Sequence, residues 1–304
     1  MHALKTAVLN DKESVILTDE EVHLIQNRLL CVLDDFLDIC NTYDIPYMMG
    51  GGTALGTVRH HGFIPWDDDI DVNMCRKDAQ RFLPLFKEKY GEKYWIYTPG
   101  EAENTYSMIH ILTKDVRCRG IMQPKTDHWG ICFDIFLIEN TYDNSLLRKI
   151  HGYTCMAYRY ALSCMRFARN KAELNELAGN GSELSGYIRK RTGVSKVLSV
   201  LPLSVWSKRA DRCMGRCRDE HSRLVSIPAG QKQYFGEMYE REKYCKLTEM
   251  EFEGRTVKIS ADYDAYLKKL YGNYMEVPPA EKREKHVVRE LDKEALKKYE
   301  GVKR

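Results

Sequence analysis

Residues 50–72 read GGGTALGTVRHHGFIPWDDDIDV, and no other stretch restricts the fold as much. Three glycines stand before a helical pattern that carries Ala54, Leu55 and Val58. Glycines at a helix start expose backbone N–H groups and let another group approach closely, which suits a phosphate. A loop over 60–65 then leads to Trp66 and the acidic run Asp67-Asp68-Asp69. The chain continues Asp69, Ile70, Asp71, Val72, an alternation that reads as a strand with one acidic and one apolar face. Residues two apart on a strand point the same way, so the Asp69 and Asp71 carboxylates are crowded together. Such crowding costs energy unless a cation neutralises it, and hard carboxylate oxygens favour Mg²⁺ or Mn²⁺.

Taken singly, a glycine triplet is most often a turn and an acidic run is most often a solvated loop. Here they are joined, and Ile70 and Val72 bury the reverse face, which favours a site. Asp67, Asp69 and Asp71 occupy positions 1, 3 and 5 of a calcium loop. That reading fails because position 6 is Val72 and position 12 is Asp78, where glycine and glutamate are needed. G-x-x-x-x-G-K-[ST] and G-x-S-x-G are both absent, which excludes a P-loop and a nucleophile elbow. Arg59, His60 and His61 stand between the glycines and the aspartates. The histidines show no partner and are expected to order the loop, with Trp66 as a packing anchor.

Around this segment the pattern predicts helix from a capping box at Thr18 and Glu21, with a stripe of Val22, Ile25, Leu29, Leu33, Phe36, Leu37 and Cys40. It should end at 41–44. Extended pieces are expected at 47–49, 94–98, 106–112, 116–119 and 130–138, with a helix at 77–90. Residues 143–221 read as helical, broken at Gly179-Asn180-Gly181 and Pro202. Extended pieces return at 224–227, 249–252 and 256–260, the last two forming a hairpin about Glu253-Gly254-Arg255. A helix at Tyr263–Tyr271 and a charged tail follow. Strands on both sides of a helical middle predict an α+β fold. The expected organisation is an N-terminal core part at 1–142, a basic helical insertion at 143–221 and a C-terminal part at 222–304 that completes the core.

The 304 residues are 43% hydrophobic and 30% charged, and the net charge is +3. This excludes a disordered, fibrous or strongly basic DNA-binding chain, and no nucleic-acid partner is expected. The helical middle differs: 5 Lys and 10 Arg face 7 acidic residues, a net +8. It is read as a solvated cap on the sheet or as a platform for an anionic partner. Leu198, Val200, Leu201, Leu203, Val205 and Trp206 beside Lys208 and Arg209 are candidates for peripheral contact with the inner membrane face. The ten cysteines contain no C-x-x-C pair. They are expected to be mostly reduced, in the cytoplasm. Cys213 and Cys217, four apart, could meet on one helix face. The N-terminus lacks the apolar run of a signal peptide, and no transmembrane helix is expected.

The segment Gly51-Gly52-Thr53-Ala54-Leu55-Gly56-Thr57-Val58-Arg59, followed by Gly62 through Val72, resembles the signature of the LicD family. That family includes bacterial phosphocholine transferases and is related to fukutin-type enzymes. Cys40-x-x-Tyr43-x-Ile45-Pro46-Tyr47, Arg76-Lys77-Asp78 and Gly130-Ile131-Cys132-Phe133-Asp134-Ile135-Phe136 resemble further family segments. Phe252-Glu253-Gly254, Tyr266-Leu267, Tyr271-Gly272 and Pro278-Pro279 recur in the family's order. Leu137 departs from a frequent proline.

The resemblance implies a nucleotidyltransferase-like mixed β-sheet core flanked by helices. It also implies a glycine-started helix holding phosphates and three carboxylates on two strands binding metal. Asp69 and Asp71 are the first two of these, and Asp134, in an apolar strand between Phe133 and Ile135, is the candidate third. Donor phosphates would be held by Gly51, Gly52 and Thr53, with Arg59 and Lys77 countering charge. His286 stands where the family has a recurring histidine, and is read either as a site residue or as a surface residue. A family basic residue between Tyr106 and Asp115 has two candidates, His110 and Lys114.

The expected activity is metal-dependent transfer of a phosphocholine-type or related phospho-alcohol group. The donor is CDP-linked, the acceptor is a glycan or lipid-linked glycan hydroxyl, and CMP is released. The alternatives are a metal-dependent glycosyltransferase using Asp-x-Asp, a nucleotidyltransferase making an activated phosphocholine or sugar compound, and a binding protein without turnover. Glycosyltransferases usually place a nucleotide-binding sheet ahead of Asp-x-Asp, and here only 68 residues precede Asp69.

Overall fold

The structure is a computed structural model that describes residues 11, 14–101, 104–178, 182–283 and 285–302. After a short strand β1 (Val15–Ile16), the chain forms helix α1 (Asp19–Thr42). Its capping box is made in full. The Thr18 hydroxyl accepts from the Glu21 N–H at 3.2 Å, and the Glu21 carboxylate accepts from the Thr18 N–H at 2.9 Å. Ile25, Leu29, Leu33, Phe36 and Cys40 are all buried. Phe36 meets the rings of Tyr47, Phe82 and Phe133 at about 5 Å, so one helical stripe ties α1 to the sheet. Each such side chain contributes roughly 1.5–3 kcal/mol on burial.

Then come β2 (Met48–Met49), α2 (Gly51–His60), β3 (Ile70–Cys75), α3 (Arg76–Tyr90), β4 (Tyr94–Tyr97), β5 (Ile109–Thr113), β6 (Cys118–Gly120) and β7 (Cys132–Asn140). Four helices follow: α4 (Ser145–Arg169), α5 (Lys171–Ala178), α6 (Glu183–Leu198) and α7 (Leu203–Met214). Pro202 caps α7, whereas the expected break at Gly179-Asn180-Gly181 lies outside the described residues. The chain returns through β8 (Leu224–Ser226), α8 (Gln233–Gly236), β9 (Met238–Glu240) and α9 (Arg241–Tyr244). It closes with β10 (Leu247–Phe252), β11 (Arg255–Ser260), α10 (Tyr263–Tyr271), β12 (Val287–Leu291) and α11 (Lys293–Leu296).

The fold is α+β. The main sheet runs β2-β3-β7-β5-β4, and β8 with β9 extends it from β7. β3 and β7 are parallel, with Asp71 opposite Asp134; β5 is antiparallel to β7, with His110 opposite the same Asp134. Sequence from both sides of the helical stretch joins here, as Glu139 and Asn140 of β7 pair with Ser226 and Val225 of β8. Most strands and helices fall within a few residues of their expected positions.

Two expectations need correction. The closing residues are not merely a charged tail, because β12 pairs with β6 and β1 in a second sheet. Its partners lie far away in sequence, and short strands with charged outer residues carry no local signal. Strand β9, which pairs with β8, adds to the expected elements. Cys213 and Cys217 do not share a helix face, since α7 ends at Met214; Cys213 instead lies 3.7 Å from Cys155.

The β10–β11 hairpin turns on Glu253 and Gly254, with φ of 49° and 72°. Two consecutive positive φ values match the tight turn whose twist suits a hairpin. The tip reaches the loop between α2 and β3: the Glu253 N–H donates to the His61 carbonyl at 2.9 Å, and the Phe63 N–H donates to the Glu253 carboxylate at 3.1 Å.

Candidate active site

The site forms where the N-terminus of α2 meets the leading ends of β3 and β7. Backbone bonds fix the approach. The Gly50 N–H donates to the Asp71 carbonyl, and the Asp71 N–H donates to the Thr53 hydroxyl, both at 2.8 Å. The glycines are needed because carboxylates stand against them. A Cβ on Gly51 would lie 2.7 Å from an Asp71 oxygen, and one on Gly52 would lie 2.8 Å from an Asp67 oxygen. Gly51 also has φ +47°, which a side chain would resist.

Asp69 and Asp71 make no side-chain hydrogen bond or ion pair with any described residue. Burial first, and then the charges of Asp71, Asp67, Asp68 and Asp134, push the Asp69 carboxyl well above the usual carboxylate range. Asp71 is pushed up in the same way by burial, Asp134, Asp67 and Glu237. Asp134 is better supported: His110 Nδ1 lies 2.6 Å from its carboxylate, and Cys132 Sγ donates to it at 2.8 Å. On the other side, His286 Nδ1 lies 2.5 Å from Asp68.

Two groups of candidate metal ligands adjoin Asp69 and Asp71, each with its ligand atoms within 4.8 Å of one another: His110–Cys132–Asp134 and Asp67–Asp68–His286. Asp69, Asp71 and Asp134 share one charged neighbourhood without forming so tight a group. Asp69 and Asp71, without countercharge, repel each other and Asp134.

A recess of about 300 Å³ opens beside them. Asp68, Asp69, Asp134 and His110 line it, together with Tyr106 from the core and Arg166 from α4. The Arg166 guanidinium sits over the Tyr106 ring at 4.1 Å, so the helical stretch contributes a wall.

Of the expected site residues, Gly51, Gly52, Thr53, Asp69, Asp71, Asp134 and His286 come together. Three roles change. The Thr53 side chain is buried beneath Asp71 and holds that residue's N–H, leaving its own backbone N–H and that of Gly52 at the helix mouth. Arg59 lies in the last turn of α2, at the end remote from the glycines, and donates to the carbonyls of Tyr274 and Glu276. Lys77 follows the far end of β3 and pairs with Glu220 at 2.8 Å. A position eight residues along a helix, or six along a strand, is about 12–20 Å away. Between the two basic candidates, His110 is at the site, whereas Lys114 donates to the Gly91 carbonyl.

Tyr266 was not singled out as a site residue. Its hydroxyl accepts from the Gly51 N–H at 2.8 Å and from Asn73 at 3.3 Å. Only its place beside Leu267 in a recurring pair marked it in the sequence.

The profile of the family described as LicD/FKTN/FKRP, nucleotidyltransferase domain, matches residues 44–116, which hold the α2 mouth and β3. The lipopolysaccharide cholinephosphotransferase LicD of Haemophilus influenzae is 30% identical over 282 residues, covering 89% of this chain and 98% of that protein. An uncharacterized protein of Rickettsia prowazekii is 35% identical over 83 residues, 24% of this chain and 31% of that protein. One of Rickettsia typhi is 38% identical over 60 residues, 19% of each. The chain belongs to the LicD family, and it is a transferase of phosphate-containing groups.

Proposed function

We propose that this chain moves a phosphocholine-type group from a CDP-linked donor, CDP-choline first among them, to a hydroxyl of a glycan or lipid-linked glycan. CMP is the leaving product. The observation that carries the reading is the pair Asp69 and Asp71, half-buried and without countercharge from any described residue, beside a helix mouth that glycines keep open. The relative from Haemophilus influenzae is named for cholinephosphate transfer to lipopolysaccharide, which supports this choice of group and acceptor.

The frame is a nucleotidyltransferase-like core of residues 1–142 and 222–304, interrupted by the insertion at 143–221. The donor set fits a hard divalent cation, Mg²⁺ or Mn²⁺, held by Asp69, Asp71 and Asp134. When bound, that ion neutralises the donor diphosphate and the charge that grows on the leaving CMP. The Gly52 and Thr53 N–H groups face the donor phosphates, with the partial positive charge of the helix end behind them. Tyr266 and the Thr53 hydroxyl hold the mouth and the strand in register. Asp134, steadied by His110, orients the acceptor hydroxyl and takes its proton. A bond forms from that oxygen to phosphorus, the phosphorus–oxygen bond to CMP breaks, and its electron pair leaves with CMP. His286 fixes Asp68 at the edge of the site.

Among the described residues no helix is long and apolar enough to cross a membrane. The proposed location is cytoplasmic and peripheral to the inner membrane face, where a lipid-linked glycan is presented.

Purified chain with Mg²⁺, CDP-choline and a lipopolysaccharide acceptor should release CMP and label the glycan, and chelation should stop both. UDP release from a UDP-sugar would favour the glycosyltransferase alternative. Pyrophosphate release from CTP with phosphocholine would favour nucleotidyl transfer. Absence of all three products would overturn the CDP-choline reading.

A further inference from the structure

The far ends of β3 and β7 open into a groove of about 1210 Å³ that is separate from the aspartate recess. Glu139, on its floor, lies five residues along β7 from Asp134, about 17 Å at strand spacing. Its cations are of two kinds. Arg76 and Lys77 are matched: Arg76 pairs with Glu139 and with Asp211, and Lys77 pairs with Glu220. The remaining acid of the lining, Glu101, is held by the Thr98 N–H and Lys87. Every acid in the groove is therefore already engaged. Lys208, Arg209, Arg212, Arg216 and Arg218 are exposed, and none makes a side-chain hydrogen bond or ion pair with a described residue.

The groove lining carries seven cations against four acids, a net +3, and five of those cations, within eleven residues, make no ion pair with a described residue, so the groove holds a local positive potential. Four are arginines, whose planar donor fork suits two oxygens of one phosphate. They sit on α7 and the turn after it, an element seated on α4 by the buried thiol of Cys155 against Cys213, so the groups are presented from a fixed support. We propose that this groove is a binding site for a ligand bearing two or more phosphate groups, distinct from the donor site. The inference does not rest on the choice of donor above. Two sources share that chemistry, a phosphorylated saccharide in solution and the headgroups of an anionic lipid surface.

The test uses the full chain in EDTA, so that no divalent ion carries an anion to the aspartates. Inorganic tripolyphosphate is titrated calorimetrically into wild type and into the triple variant Arg209→Gln, Arg212→Gln, Arg216→Gln. A control triple, Lys190→Gln, Lys282→Gln, Lys298→Gln, removes equal charge elsewhere. The groove variant should bind at least about tenfold more weakly and with a shallower salt dependence, while the control stays within about twofold of wild type. Flotation with phosphatidylglycerol and with phosphatidylcholine vesicles separates the sources. Retention on the anionic vesicles, lost in the groove variant, places the phosphates on lipid, and tripolyphosphate binding alone places them on a soluble ligand. No binding by wild type, or equal weakening in both triples, overturns the proposal.

Discussion

The two ends of the β3–β7 pair carry opposite charge, and they differ in how that charge is tolerated. At the leading end, Asp69 and Asp71 are half-buried and unmatched by any described residue, an arrangement that opposes folding. At the far end the charges inside the protein are matched, as Glu139 is by Arg76, and the unmatched arginines stand in water at little cost. An unmatched charge tells most about chemistry where protein surrounds it. Solvated charge tells about attraction of a partner.

The comparison yields a graded set of expectations. The largest effect should come from Asp71→Asn, which keeps shape and removes charge. Turnover should fall roughly a thousandfold or more, with an unchanged circular dichroism spectrum. A folded variant with near-normal CMP release would detach Asp71 from the chemistry. At the far end, Arg76→Ala strands the Glu139 carboxylate in a buried setting. Urea unfolding should show a loss of about 3–5 kcal/mol, and Arg76→Ala combined with Glu139→Gln should recover part of it.

A smaller effect is expected from pH and metal. The folded-state pKa values of Asp69 and Asp71 lie above their unfolded values, so the folded chain binds protons more tightly than the unfolded chain. The metal-free protein should therefore lose stability as pH rises from the unfolded carboxylate range through the folded values, and regain it on acidification. Asp71→Asn should melt roughly 2–4 °C above wild type in EDTA at pH 8, with the gap closing as pH falls. Added Mg²⁺ should raise the wild-type melting temperature and leave the variant nearly unmoved; an equal response in both would break the contrast between the two ends. The smallest effect is that of His286→Ala, a several-fold rise in donor KM. No change would make His286 a surface residue that happens to touch Asp68.

Much of the leading end was legible in residues 50–72, because glycines, a helix and an alternating strand follow one another within a single local run. Asp134 was legible as a polar residue in an apolar strand and through the family resemblance of its segment, whereas its pairing opposite Asp71 is a long-range fact. His110, Tyr266 and Arg166 arrive from β5, α10 and α4, and no local pattern says that they meet. Arg59 and Lys77 were misplaced for the opposite reason. Closeness in sequence to the motif is not closeness in space, because a helix and a strand carry each of them away. The basic middle was visible as composition, yet the division between matched and unmatched cations needed coordinates.

The hairpin tip at Glu253 grips the loop at His61 and Phe63 from 190 residues downstream, and Tyr266 holds Gly51 from farther still. During synthesis the glycines and aspartates of residues 50–72 leave the ribosome well before the segments that hold them. A nascent chain stalled before the hairpin would hold the aspartates without the clasp that positions them. Truncation before Glu253 should therefore give an inactive protein even when residues 1–142 are intact.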